Sequence, residues 1–227
     1  MRRLLFLISL ILIFVQVGTT QSNKEIKNGP VVKHYDNGKM RYEGQFRNDN
    51  PYGTFKYYFN TGQLKATMEY SDDGVIAESN TFYKNGKKMA EGRYINKQKD
   101  GVWLYYLNEK GNPLVSKETY EDGVLEGESI TYYPDGGNPA EIVEYKAGAK
   151  HGKLLKYFPD SVLMTESYYY EGEPHGKFRH YHPDGKLYIK GEYYHGVQAG
   201  NWEYFDENGK PVSEEDFMRQ ESVEEIE

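Results

Sequence analysis

One motif, written eight times, limits what this chain can fold into. A glycine opens the unit at Gly29, Gly53, Gly101, Gly127, Gly152, Gly176 and Gly200, and Ala77 takes the third place. The starts lie 24 to 26 residues apart. The two longer units carry their extra residues around "NEKGNP" and "DGGNPAE", which are turn compositions. Three columns fix the register. Two residues after each start stand Val31, Phe55, Ser79, Trp103, Ser129, Leu154, Phe178 and Trp202. Five after stand His34, Tyr58, Phe82, Tyr106, Tyr132, Tyr157, Tyr181 and Phe205. Late in the unit the column Phe46, Tyr70, Tyr94, Tyr120, Tyr145, Tyr169, Tyr193 and Phe217 is aromatic throughout.

Each unit reads as strand, turn, strand, turn. "GKFRHYH" or "GNWEYFD" is the first strand, and "PDGK", "KNGK" or "ENGK" is a turn whose glycine takes positive φ. The second strand alternates with period two. Tyr70, Met68, Ala66 and Leu64 share one face, while Glu69, Thr67 and Lys65 share the other. That is an antiparallel strand with one wet face. An isolated hairpin is marginal in water, so the units must stack to bury their rings. The expected fold is all-β: an elongated single-layer antiparallel β-meander of about eight 24-residue hairpin repeats. Tyr, at 23 residues, and Gly, at 24, fit many short strands joined by tight turns.

The ends differ from the array over residues 29–212. Residues 1–20 open with Arg2 and Arg3, followed by an apolar run from Leu4 to Val17 and then small or polar residues. Charge, length and order are those of a secretory signal peptide, too short for a spanning helix of about 20 residues. Residues 21–28 read as a lead-in. Residues 213–227 form an acidic tail, and "SEED" from Ser213 is a capping box. The repeat register wants a strand ending at Phe217, whereas local chemistry wants a helix from Ser213. A short capping helix is expected, with Phe217 still packing on the last hairpin.

Composition removes several functions. No cysteine is present, which excludes thiol catalysis, disulfides and zinc–thiolate sites. The formal charge is -7, concentrated in the acidic tail, so the repeat region is nearly balanced. Nucleic acid and anionic membrane surfaces both want a basic face that this chain lacks. No nucleophile motif, phosphate loop or dinucleotide fingerprint is present, and no cofactor is implied.

With these columns in register, "GKFRHYHPDGKLYIKGEYYHGVQAGNWEYFDENGK" resembles the MORN repeat variant of bacterial proteins, including the group labelled YwqK-like antitoxin components. The resemblance runs from about Gly29 to Lys210. It implies a single-layer β-meander that binds or spaces without catalysis, and the antitoxin label implies a toxin as partner.

Two sets of residues invite chemistry. "HGKFRHYHPDGK" holds His175, His180 and His182 with Asp184 nearby, a plausible metal set at first sight. In register, His180 and His182 occupy slots that other units fill with Tyr, Phe or Lys, which makes them ring-shaped filler. The Glu69, Glu144 and Glu192 column has carboxylate spacings that any strand column produces, and reads as solvated charge paired across strands. The aromatic columns are the stronger signal. Most of their rings build the core; the rest form a ribbon for a partner. Trp103 and Trp202 are the expected anchors, with Tyr105, Tyr204, His180 and His182 beside them. The expectation is an exported, non-enzymatic, protein-binding scaffold, adaptor or immunity-type module. The alternative is a cell-wall or glycan-binding module that uses the aromatic columns.

Overall fold

The computed structural model describes residues 26–224 apart from Asp72 and Gly136. The expected signal segment therefore lies outside the described residues. Unit by unit the strands are β1 (Gly29–His34) and β2 (Met40–Arg47), β3 (Asn50–Tyr58) and β4 (Leu64–Tyr70), and β5 (Ile76–Phe82) and β6 (Lys88–Ile95). Then follow β7 (Gln98–Tyr106) and β8 (Leu114–Glu121). The fifth unit has β9 (Val124–Leu125), β10 (Gly127–Tyr132) and β11 (Pro139–Lys146). The last three units hold β12 (Ala149–Tyr157) and β13 (Leu163–Tyr170), β14 (Glu173–Tyr181) and β15 (Leu187–Tyr194), and β16 (Val197–Phe205) and β17 (Pro211–Val212). Helix α1 (Glu214–Glu224) closes the description.

Strands pair antiparallel with their neighbours in sequence, from β1–β2 to β16–β17. The fifth unit's first strand is broken at Glu126, so β8 pairs with both β9 and β10 before β10 pairs with β11. The result is one open sheet, the β-meander the repeat predicts.

Turn chemistry accounts for the register. The turns between units place two successive residues at positive φ, such as Glu171 (50°) with Gly172 (90°) and His195 (47°) with Gly196 (78°). Such turns match the twist of a hairpin. The glycine that opens each unit is a second device. Gly101 sits at φ 68°, and the β6–β7 register slips by two residues opposite it, between Glu91 and Arg93. Ala77 fills this place in the third unit, and there the β4–β5 register runs without a slip. A β-carbon disfavours the left-handed region, so the bulge is lost and a wider turn around Gly74 replaces it. Gly101→Ala should cost about 1–2 kcal/mol through the backbone alone. Its added β-carbon would meet only Arg93 Nη2, at an ordinary 3.6 Å. Ala77→Gly should cost less; urea unfolding of the two variants checks this.

The core is built within the single layer. The apolar column and its cross-strand partners make one row across the sheet, in which the large rings lie over glycines of a neighbouring strand. Phe55 lies over Gly44, Trp103 over Gly92 and Trp202 over Gly191; a β-carbon on any of these glycines would stand 2.4 Å from the ring. The late column packs edge-on against the same rings. Phe46 and Tyr70 flank Phe55 at 5.3 Å each, Tyr94 meets Trp103 at 4.9 Å, and Tyr193 meets Phe178 at 5.7 Å and Trp202 at 5.1 Å. Such pairs add about 0.5–1.5 kcal/mol each beyond burial. Four members of the late column, Phe46, Tyr70, Tyr94 and Tyr193, thus close the side of a ring in the row.

A second set of rings straps unit to unit. Six residues after the unit start, Tyr35, Tyr83 and Tyr133 donate their hydroxyls to the carbonyls of Tyr58 (2.8 Å), Tyr106 (2.9 Å) and Tyr157 (2.6 Å) in the next unit.

At the C-terminus the local signal wins over the repeat. The Ser213 Oγ accepts from the Asp216 backbone N–H at 3.2 Å and bonds the Asp216 carboxylate at 2.7 Å, which caps α1. Phe217 is buried all the same, with its ring 4.9 Å from Tyr204 and 4.8 Å from Tyr188. The aromatic of the repeat keeps its place in the packing while its backbone changes from strand to helix.

Candidate interaction surface

The six residues expected to meet a partner fall into two separate places. Trp103 and Tyr105 lie on β7 in the middle of the array. Trp103 is 2% exposed, and its Nε1 donates to the Arg93 carbonyl at 3.0 Å. A ring so placed holds the sheet together, and Lys99 covers the face that Gly92 does not, so the expected surface anchor sits in the core. The reason is Gly92: without a side chain there, the indole lies down across β6. Tyr105 is half-buried beside it at 6.3 Å. Burial is the main cause that drives the Tyr105 phenol far above its usual range, with hydrogen bonding to Tyr120 and the nearby Glu118 adding to it.

The other four gather at the C-terminal end. Trp202 lies between Phe178 at 5.5 Å and Tyr193 at 5.1 Å. Tyr204 is 8% exposed and donates to the Glu214 carboxylate of α1 at 3.3 Å. His180 and His182 both meet Tyr188, at 5.6 and 4.4 Å, and Tyr188 passes the contact on to Phe217. His180 Nδ1 lies 2.9 Å from Thr165 Oγ1. Burial lowers the His180 pKa, with His182 and Lys156 pushing the same way. His182 stands in the strapping-tyrosine column, and its Nε2 is buried without a hydrogen-bond partner. Asp184, the apparent third member of a metal set, instead bonds Lys186, through its backbone N–H at 3.0 Å and its ammonium at 2.8 Å. Among the described residues no three His, Asp or Glu side chains converge as metal ligands would.

Trp202 differs from Trp103 in one respect. Its Nε1 is buried without an acceptor, whereas that of Trp103 has one. A buried donor left unpaired costs about 1–3 kcal/mol. Trp202→Phe should therefore cost clearly less than Trp103→Phe, despite removing the same atoms; paired thermal melts of the two variants check it.

The rings most open to solvent lie outside the columns, where column reasoning does not look. His151 on β12, Tyr170 on β13, His175 on β14, Tyr194 on β15 and His195 in the following turn form a ladder, one ring from each successive element. Neighbouring centroids lie 5.1, 5.9, 5.1 and 4.6 Å apart, and His175 also meets His195 at 5.1 Å. Tyr170 is 44% and Tyr194 63% exposed, and Val197 beside them is 68% exposed. The signal for this ladder was in the sequence, in the residues that end a second strand or precede the unit glycine.

The ladder shares the face turned away from the buried row with charged groups: Glu166 stands four residues before Tyr170 on β13. Glu166 is held by Lys153 at 2.9 Å and Arg179 at 2.8 Å, one from each flanking strand. The Lys153 bond is the chief cause that keeps the Glu166 carboxyl below its usual range.

Comparison with known proteins agrees with the repeat. Residues 27–48, 51–72, 174–194 and 198–218 match the family model described as the MORN repeat variant. These are the first two and last two units. The four between hold Ala77 and the two longer repeats. No curated protein matches the chain. Among solved structures, one described as "Crystal Structure of TarM" is 16% identical, with a TM-score of 0.26 over 49% of this chain and 19% of that one. The chain thus spans about a fifth of that protein's length, and so low a score does not establish a shared fold.

Proposed function

We propose that the chain is an exported, non-enzymatic scaffold that binds a protein partner through the ring ladder of its last three units. The MORN repeat matches support a repeat scaffold. The ladder supports the partner: Tyr170, Tyr194 and Val197 are exposed, with the His175 ring between the two tyrosines, and the sheet does not need these side chains for its core. Tyrosine suits such a surface, since it offers a large ring at little entropic cost and keeps a polar hydroxyl. Export rests on the charge and order of the first twenty residues. An immunity-type role, in which the partner is a toxin, is one form of the same activity.

Tyr170→Ala and Tyr194→Ala together should abolish co-purification of the partner with the tagged mature chain and leave thermal stability nearly unchanged. Val102→Ala, an exposed side chain far from the ladder, should leave binding intact. Unchanged co-purification by the double variant contradicts the reading. A second reading, a glycan-binding module, is favoured by the same two rings: they stand one repeat apart, about 9.6 Å for two strand spacings, and sugars stack on such rings. Sedimentation with cell-wall glycan, lost in the same double variant, distinguishes the two.

A further inference from the structure

Lys99 lies two residues before the unit glycine Gly101. Its Nζ stands 4.8 Å from the Trp103 ring centroid, 5.1 Å from Tyr105 and 4.6 Å from Tyr120. It donates to the Tyr105 hydroxyl at 2.6 Å and lies 3.4 Å from the Tyr120 hydroxyl. Tyr120 in turn donates to Glu118 Oε2 at 2.6 Å, and Ser116 Oγ lies 3.4 Å from Glu118 Oε1. Three ring faces and a carboxylate around one point attract a cation and nothing else.

The repeat does not require this arrangement. The slot of Lys99 holds Pro51, Val75, Leu125, Pro174 and Gln198 in other units. The slot of Glu118 holds Gly44, Met68, Gly92, Val143, Ser167 and Gly191, and in the eighth unit Glu215, which stands on helix α1 instead of a strand. Where lysine does recur, Lys27 lies over Phe46 at 5.2 Å and Lys150 over Tyr169 at 5.3 Å, one ring each. The eighth unit repeats the Trp–Tyr pair as Trp202 and Tyr204, but there Gln198 replaces the lysine and Phe217 packs on Tyr204. The fourth unit alone combines lysine, tryptophan, two tyrosines and glutamate.

We infer that Trp103, Tyr105, Tyr120 and Glu118 form an ammonium-binding cage that Lys99 occupies internally and that takes the trimethylammonium group of a ligand when Lys99 swings out. A quaternary ammonium suits the cage because it is weakly hydrated and needs no hydrogen bonds, so it keeps the ring attraction at small desolvation cost. Lys99 is tied to β7 and competes at high local concentration, which reduces the apparent affinity of the parent by the fraction of time the cage is filled. Burial of the Lys99 side chain lowers its pKa, with Glu118 opposing. Raising the pH therefore neutralises Lys99 and frees the cage. The groups facing it are the Glu118 carboxyl and the phenols of Tyr105, Tyr120 and, across on β6, Tyr94, which burial also raises. The phenols of Tyr105 and Tyr120 are raised, that of Tyr120 to about 12, chiefly by burial, so all three stay neutral in that window.

The test uses the full chain carrying Trp202→Phe, which leaves Trp103 as the sole indole. Its fluorescence is titrated with tetramethylammonium chloride against sodium chloride at equal ionic strength. Lys99→Gln, which copies the residue of the eighth unit, should bind tetramethylammonium about tenfold more tightly than its parent. Adding Glu118→Gln to Lys99→Gln should remove most of that gain. In the parent, which needs no further substitution, binding should strengthen as pH rises through the Lys99 titration. Choline and a trimethyllysine peptide then separate the two sources of the group; a preference for either supports the cage and says which source it serves. A response to tetramethylammonium no larger than to sodium, or equal affinity in Lys99→Gln and parent at every pH, overturns the inference.

Discussion

Trp103→Ala is expected to lower stability by about 3–5 kcal/mol, the cost of truncating a large ring in a packed core. The indole lies on Gly92, is closed at its edge by Tyr94 and satisfies its donor on the Arg93 carbonyl. Each of these contacts spans from β7 to β6, so the loss falls on the junction between the third and fourth units. In an array of repeats stability sums unit terms and nearest-neighbour terms. A broken junction in the middle should therefore divide one urea transition into two, with the first three units separating from the last five. A single sharp transition with a small shift in midpoint would show that the ring contributes little.

The second large effect comes from the other side of the same contact. Gly92→Ala adds one carbon, yet that carbon would stand 2.4 Å from the indole, closer than any real contact. Gly92 does not sit at positive φ, so its backbone accepts alanine and the cost is steric alone. Overpacking of this kind costs about 1–3 kcal/mol. The rigid ring and the strand beneath it leave little room to yield, which places Gly92→Ala at the upper end. Gly191→Ala under Trp202 and Gly44→Ala under Phe55 should behave alike, since the geometry repeats. Thermal melts of the three variants compare them directly.

Much of the fold was legible because the repeat averages over local noise. Eight copies of one hairpin fix strand, turn and register where any single copy is ambiguous. The helix at Ser213 was also legible, as the capping box is a local signal that needs no partner. The division of rings into buried and exposed was not legible. In a single layer, whether a tryptophan lies down or stands up depends on the residue one strand away, and Gly92 decides for Trp103. Columns show what repeats, so they also hide what does not. The ladder from His151 to His195 is made of residues beside turns, and the cluster around Lys99 is a departure of one unit. His180 and His182 share a neighbour the columns do not show: Tyr188, which comes from a position where the strand slips by one residue between His180 and Tyr181.

The claim on which everything else rests is that each large ring in the row is matched to a missing side chain on the neighbouring strand. This frees other rings for a partner. A double-mutant cycle between Gly92 and Trp103 measures that match. Trp103→Leu is the suitable second variant, because Leu154 fills the same slot of the sixth unit beside Val143. Gly92→Ala should be strongly destabilising with Trp103 present and much less so with Trp103→Leu, giving a coupling above about 1 kcal/mol in urea unfolding. Costs that add to within about 0.5 kcal/mol would mean that glycine and ring are independent, and would contradict the account.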